Sequence, residues 1–261
     1  MAHRRSQEWE LKLAGASYEE VAKAGGGIVS TVKKTRLASV DDLVEGGKKR
    51  ISSILKEGVT SMEIKSGYGL ELEAERKMLQ AAAKVEKDFG VKVEKTFLGA
   101  HAVPIEFTGR SGEYIDSCIE MLEKLKEEGI VDCVDAFTES IGFSVEETEK
   151  LFDKAKSMGL KMRVHGDQLN NFGCGQLAKK YSCLSCDHCE YSGDEAISAM
   201  AEGGQVAVLL PTANYFIKET KMPDVKAMRK KCVDIAIATN CNPGSSPCCS
   251  ILLVMNMACT R

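Results

Sequence analysis

Leu160-Lys161-Met162-Arg163-Val164-His165-Gly166-Asp167-Gln168, followed a short helical stretch later by Cys183-Leu184-Ser185-Cys186-Asp187-His188-Cys189-Glu190, is the passage on which the fold turns. In each half an apolar run closes on a histidine beside an acid. Two of the four histidines of the chain therefore stand at the ends of successive strand-like runs. In a chain that alternates strands with helices, a histidine at the carboxyl end of a strand points into the mouth where such folds do their chemistry. The plainer reading is a pair of hydrogen-bonded core or rim histidines.

Outward from this passage the same unit repeats. Runs at Val59–Lys65, Val91–Ala100, Val131–Thr138, Leu160–Val164, Cys183–Asp187, Gln205–Leu210 and Val233–Thr239 read as seven strands. Helical periodicity at Glu71–Asp88, Gly112–Glu128, Val145–Met158, Gly173–Lys180, Asp194–Ala201 and Asp224–Lys231 separates them. Ser39-Val40-Asp41-Asp42 has the spacing of a capping box and opens a further helix to about Lys56. Weaker helical patterns at Glu8–Leu13 and Tyr18–Ala24 precede Gly25-Gly26-Gly27.

Strands alternating with helices give a parallel sheet, either closed as a barrel or open and doubly wound. The polar residues at the strand ends decide between them: Lys65 with Tyr68, then His101, Glu139, His165, His188, Thr212 and Asn240, one contribution per strand. An open sheet concentrates its site at one crevice, whereas a barrel draws on every strand. The expected fold is α/β, an incomplete (β/α)8 TIM-type barrel of about seven parallel strands with the first strand missing. Residues 1–261 are expected to form one partial barrel domain, interrupted at its C-terminal end within a helix. The unpaired edge left by the missing strand predicts a possible homodimer.

Bulk properties narrow the function. At 261 residues, 44% hydrophobic and 28% charged with a formal net charge of -3, the chain has no basic stripe for nucleic acid. No opening signal-peptide pattern and no apolar run of ~18 residues is present, so no membrane association and a cytoplasmic location are expected. Eleven cysteines are expected to be reduced thiols.

Several motifs in order carry a resemblance to a known family. Ala14-Gly15-Ala16-Ser17-Tyr18, Gly25-Gly26-Gly27-Ile28, Glu63-Ile64-Lys65-Ser66-Gly67-Tyr68-Gly69 and Phe97-Leu98-Gly99-Ala100-His101-Ala102 come first. Val164-His165-Gly166-Asp167-Gln168, Val206-Ala207-Val208-Leu209-Leu210-Pro211 and Asn242-Pro243-Gly244-Ser245-Ser246-Pro247 follow. Together they resemble the imidazolonepropionases, a family of metal-dependent amidohydrolases. The resemblance implies a hydrolase that opens the cyclic amide of 4-imidazolone-5-propanoate, a small-molecule substrate, to N-formimidoyl-L-glutamate in histidine degradation. It also implies one Zn²⁺ or Fe²⁺/Fe³⁺ ion that lowers the pKa of a water and polarises the ring carbonyl.

By the same resemblance His165 is a metal ligand, Asn240 occupies the position of another, and His188 handles protons or orients the attacking water. Gln168 lies near the reacting ring, and Tyr18, Tyr68 and His101 line the substrate pocket. Arg5 pairs with the propionate, for which a guanidinium fork is suited, and the turn carrying Asn242, Gly244 and Ser245 offers backbone donors to the same group. Two positions depart from the family. Its first strand ends in a His-x-His pair that His3 alone does not replace, and its last ligand is an aspartate where this chain has Asn240. With one of four family ligands intact, weak metal binding and impaired activity are expected. The other readings are a related amidohydrolase acting on another small ring and a barrel that binds without turnover.

Cys183, Cys186 and Cys189 have a spacing also seen in zinc and iron–sulfur ligands. Side chains three apart on a strand face opposite sides and no second pair matches, so apolar packing is expected there. Core or loop packing is likewise expected at Cys241, Cys248 and Cys249. The Met-rich segment around Met255–Met257 reads as helix core.

Overall fold

The computed structural model describes residues 9–10, 13–14 and 27–260. Helices α1 (Ile28–Leu37) and α2 (Val40–Lys56) lead into β1 (Ser61–Lys65), α3 (Leu72–Phe89) and β2 (Lys92–Ala100). Then come α4 (Ser111–Glu127), β3 (Cys133–Thr138), α5 (Val145–Ser157), β4 (Lys161–Gly166), α6 (Cys174–Lys180) and β5 (Ser185–His188). The chain continues through α7 (Asp194–Gly203), β6 (Val206–Leu209), α8 (Pro211–Ile217), α9 (Val225–Lys230), β7 (Ile235–Ile237) and α10 (Ile251–Thr260).

Local chemistry accounts for these elements. Ser39 caps α2 by accepting from the Asp42 backbone N–H while Asp42 reaches back, and Ser144 with Glu147 does the same for α5. On α3 the buried Ala74, Met78, Leu79, Ala81, Ala82 and Val85 recur with helical spacing, and Gly90 ends the helix in the left-handed conformation at φ 63°.

All seven strands are parallel and their spatial order is their order in the sequence. A doubly wound sheet reverses direction partway, so this order identifies a sheet curling one way as a partial (β/α) barrel. Among the described strands, β1 pairs only with β2 and β7 only with β6. Outward-facing Val134, Ala136, Met162 and Val164 join Tyr114, Ile115, Leu122, Leu151 and Phe152 in the core between sheet and helices. The concave face is different in kind, and it carries the site.

Some expectations need correction or completion. Helices α1 and α8 were not anticipated. The Met-rich segment is helical, but on α10 Leu252, Leu253 and Met255 are exposed and only Val254 is fully buried, so it is not core. Of the helical patterns before Gly25, most residues lie outside those described. The cysteines meet the expectation: all eleven are free, and Cys183, Cys186 and Cys189 are buried in the main core.

Leu122 is fully enclosed in that core. Leu122→Ala should cost about 2–5 kcal/mol of stability, read as a lower urea midpoint at unchanged slope; a loss below about 1 kcal/mol would contradict this placement of the core.

Candidate active site

Inward-pointing positions on alternate strands build the floor of the site. The Lys65 ammonium, at the end of β1, donates to Asp135 Oδ2 of β3 at 2.6 Å and to Asp187 Oδ2 of β5 at 2.9 Å. Asp135, with no exposed surface, also accepts from His165 Nδ1 of β4 at 2.9 Å. Burial opposes charge on both partners, but the pairing outweighs it. His165 and Lys65 hold the Asp135 carboxyl far below its usual range, while Asp135, Asp187 and Glu63 keep the Lys65 ammonium well above its ordinary value.

One layer deeper, Arg163 pairs with Glu94 and with Glu63, the latter at 3.2 Å, and donates to Ser185 Oγ at 3.2 Å. Ser185 in turn donates to Asp187 Oδ1 at 2.6 Å. The concave face is thus a paired ionic lattice where many barrels carry stacked aliphatic layers.

Above this floor four rings follow one another along the wall. Tyr68 meets His101 edge-on at 4.9 Å between centroids, His101 lies 5.9 Å from His165, and His165 lies 6.2 Å from His188. Phe137 stacks on His165 at 4.8 Å. His101 is fixed by a 2.8 Å hydrogen bond between its Nδ1 and the Gly67 carbonyl. Burial, with His165 next to it, pulls the His101 imidazole down to about 4.

Buried carboxylates hold the loops that carry these rings. Glu75 accepts from the backbone N–H groups of Gly67, Gly69 and Leu70 at 2.7, 2.8 and 2.9 Å and so shapes the loop around Tyr68. Glu139 accepts from the N–H groups of Leu169 and Asn170 at 2.7 and 3.1 Å and anchors the chain just after Gln168. Asp167 accepts from the Phe172 N–H at 2.9 Å and from Ser192 Oγ at 2.8 Å. Asp167, His188, Cys189 and Asn240 all have left-handed backbone, with φ of 49°, 82°, 66° and 48°. Strain of this kind at the ends of β4, β5 and β7 marks the region where geometry is held for a purpose.

Lys65, Tyr68, His101, His165, Gln168, His188, Asn240, Asn242, Gly244 and Ser245 line one cavity of 1440 Å³. It extends past the end of the sheet toward α2 and α3 through the opening between β1 and β7. Arg5 and Tyr18 lie outside the described residues. Two strand-end residues expected in the mouth turn away: Glu139 serves the loop after β4, and Thr212 donates to the Thr239 carbonyl at 3.2 Å. The turn after β7 also differs from expectation. The Gly244 and Ser245 N–H groups already donate to Asn242 Oδ1 at 2.9 and 2.8 Å, so the turn meets the cavity with its donors engaged.

Asp135, Arg163 and Glu75 were not singled out in the sequence, and Asp187 entered only as the acid beside His188. A charged residue inside an otherwise apolar strand run, as at Asp135, was the available signal.

The donors for a metal ion can be tested on this geometry. Asp135 accepts a hydrogen bond from His165 Nδ1–H and leaves Nε2 available, the orientation a ligating imidazole needs. The imidazoles of His101 and His188 flank that ring at 5.9 and 6.2 Å between centroids. Asp135 and Asp187 are engaged by Lys65, and Asn240 brings a neutral amide 3.4 Å from Ser245 Oγ. Among the described residues no three histidine, cysteine or acidic side chains converge on one point. Among the described residues His165 and Asn240 alone do not fit an ion.

No protein-family model matches the chain. Among solved structures it is similar to an Arabidopsis ADAL complexed with IMP, at 12% identity and TM-score 0.65 over 98% of this chain and 82% of that one. A guanine deaminase from C. acetobutylicum with bound guanine matches at 16% identity and TM-score 0.60 over 86% of this chain and 56% of that one. An adenosine deaminase from Xanthomonas campestris with bound zinc matches at 14% identity and TM-score 0.57, over 85% of this chain and 51% of that one. Strand order and these likenesses thus place the protein in the fold class of the (β/α) barrels.

Among curated sequences it is 53% identical over 257 residues to imidazolonepropionase of Cupriavidus pinatubonensis, covering 98% of this chain and 61% of the relative. With imidazolonepropionase of Methylobacterium nodulans the figures are 53%, 98% and 64%. The chain is similar to these imidazolonepropionases over 98% of its own residues and spans about three fifths of their length.

The depressed histidine sets a pH dependence. In the unfolded chain His101 takes a proton near its ordinary 6.5, whereas the folded protein resists it down to about 4. Between these values the unfolded state binds more protons, so stability falls as pH drops through that window. Asp135 adds a second loss below 3.8. His101→Gln should flatten the first stage, measured as urea midpoints at pH 7 and pH 4.5; equal losses in parent and variant would contradict the assignment.

Proposed function

We propose that this chain carries the ring-opening site for 4-imidazolone-5-propanoate, adding water to yield N-formimidoyl-L-glutamate as a step of histidine breakdown. The observation that carries the reading is the placement of Tyr68, His101, His165, Gln168 and His188 along one cavity wall in a chain 53% identical to imidazolonepropionases. That identity also favours this reading over another ring substrate or a barrel without turnover.

The chemistry follows from the groups present. A small flat ring lies between the edges of Tyr68 and His101 and the Gln168 amide. A water oxygen attacks the ring carbonyl carbon, and His188 takes the proton released. When the carbonyl carbon parts from its ring nitrogen, His188 returns the proton to that nitrogen. The former ring carbonyl becomes a carboxyl group, the formimidoyl group remains on the other nitrogen, and the second water proton passes from the carboxyl to the basic amidine, leaving carboxylate and amidinium, so atoms and charge balance. Arg5 is the proposed partner for the propionate, and Tyr18 is proposed to line the substrate pocket. Asn242, Gly244 and Ser245 bound the cavity by shape.

The zinc bound to the similar adenosine deaminase supports a divalent ion in this class of barrel. For this chain the proposal is a single Zn²⁺ or iron ion touching His165 and Asn240, completed by donors outside the described residues. No step above is routed through it. A small molecule is the proposed partner, with no role for nucleic acid or membrane; among the described residues no helix is long and apolar enough to cross a bilayer. A cytoplasmic setting and pairing of two copies through the edges of β1 and β7 that no described strand covers complete the reading.

The test is turnover of 4-imidazolone-5-propanoate by the full chain with Zn²⁺ or Fe²⁺ supplied, with N-formimidoyl-L-glutamate identified by mass spectrometry. His188→Ala should lower kcat at least about 100-fold. Absence of the product with either metal would overturn the proposal.

A further inference from the structure

The turn that ends β5 holds two buried polar atoms that find no hydrogen-bond partner among the described residues. His188 Nδ1 and Glu190 Oε2 lack a hydrogen-bond partner, and the same imidazole nitrogen lies 3.5 Å from the other carboxylate oxygen, Glu190 Oε1. Their side chains are 5% and 1% exposed, so solvent does not serve either group. A buried carboxylate without a donor is costly, and a strained backbone adds to that cost. Between these two residues the chain takes left-handed φ at both His188 and Cys189, neither of them glycine.

That double bend brings residue 190 back beside residue 188. On a regular strand residues two apart also share a face, but their side chains stand side by side and not aimed at one another. Hydrogen bonds to the neighbouring strand end hold the bend in place. The Cys189 N–H donates to the Gly166 carbonyl at 3.4 Å, and the Tyr191 N–H donates to the Asp167 carbonyl at 2.7 Å. Ser192 Oγ donates to Asp167 Oδ2 at 2.8 Å. The bend is therefore tied to the end of β4, which carries His165, and to the start of the loop that carries Gln168.

We infer that Glu190 is the positioning residue for His188: its carboxylate accepts the His188 Nδ1 proton, fixing the tautomer that presents Nε2 to the cavity. The 3.5 Å separation closes to a hydrogen bond with a shift of a few tenths of an ångström, within the tightening that such pairs undergo on loading a site. When Nε2 takes a proton from the attacking water, the Glu190 charge stabilises the imidazolium; when Nε2 returns it to the departing ring nitrogen, the neutral Nδ1–H tautomer is restored. This role rests on the proposed ring opening for its catalytic consequence, but the tautomer does not.

The experiment uses the full chain labelled with ¹⁵N-histidine. With only four histidines, the His188 signals are assigned by their loss in His188→Gln. Two-bond ¹H–¹⁵N correlation spectra at pH 8 should show the parent with Nδ1 protonated and Nε2 bare. Glu190→Leu, which removes the acceptor at similar volume, should move the proton to Nε2. Glu190→Gln, whose amide oxygen still accepts, should keep it on Nδ1 yet lower kcat about tenfold or more at nearly unchanged KM, because the charge is gone.

A parent whose His188 proton resides on Nε2, or a folded Glu190→Leu protein with the parent's tautomer, overturns the inference. If Glu190→Leu fails to fold, as judged by circular dichroism, the parent spectrum and the kcat of Glu190→Gln decide: Nε2–H in the parent, or unchanged kcat in an active variant, overturns it. If the parent shows Nδ1–H and the predicted tautomer shift but turns over no imidazolone, the dyad stands and the ring-opening reading fails.

Discussion

A single ammonium group between two carboxylates organises the interior of this protein. Lys65 joins β1 to Asp135 of β3 and Asp187 of β5, and Asp135 passes that constraint to His165 of β4. Charges taken from water are tolerated only when paired and hydrogen-bonded, and Lys65, Asp135 and Asp187 each are. The pairing spans strands whose residues are 70 and 122 positions apart, so it forms only when the sheet has curled. Curvature and charge compensation therefore depend on one another. Arg163, Glu63 and Glu94 repeat the pattern one layer below.

From this floor the functional geometry follows by short steps. The carboxylate that neutralises Lys65 also orients the His165 ring, against which Phe137 packs. The loops that follow the strands are secured to buried acids through their own backbone N–H groups. Glu75, Glu139 and Asp167 each fill that role in a different loop. Left-handed backbone at Asp167, His188, Cys189 and Asn240 stands at the ends of β4, β5 and β7. Rigid strands, anchored loops and strained tips are what a preorganised site requires.

Much of this was legible in the residue order. Alternation of apolar runs with helical periodicity located all seven strands, because hydrophobic patterning reflects which face each element buries. The histidines at the ends of β4 and β5 announced the mouth. Helix α1 escaped because Ile28, Val29, Thr31 and Val32 favour strands in isolation. Helix α8 escaped because it begins at Pro211 directly after β6, with no linker to signal a change. Direction was harder than position: Glu139 and Thr212 stand at strand ends, yet they bond to neighbouring loops instead of the cavity. The turn after β7 satisfies itself through Asn242, a closure that only coordinates reveal. The Lys65 lattice was hidden because its members are scattered through separate strands, each looking like a tolerated charge.

A charge-deletion cycle tests the dependence on that lattice most directly. Urea stabilities would be compared for Lys65→Met, for Asp135→Asn with Asp187→Asn, and for the triple variant; the amide oxygen introduced by Asp135→Asn can still accept from His165. If the ammonium and the two carboxylates compensate one another, Lys65→Met alone should lose about 3 kcal/mol or more, and neutralising both acids in the same chain should restore most of it. Additive losses, with the triple variant the least stable of the set, would contradict the account.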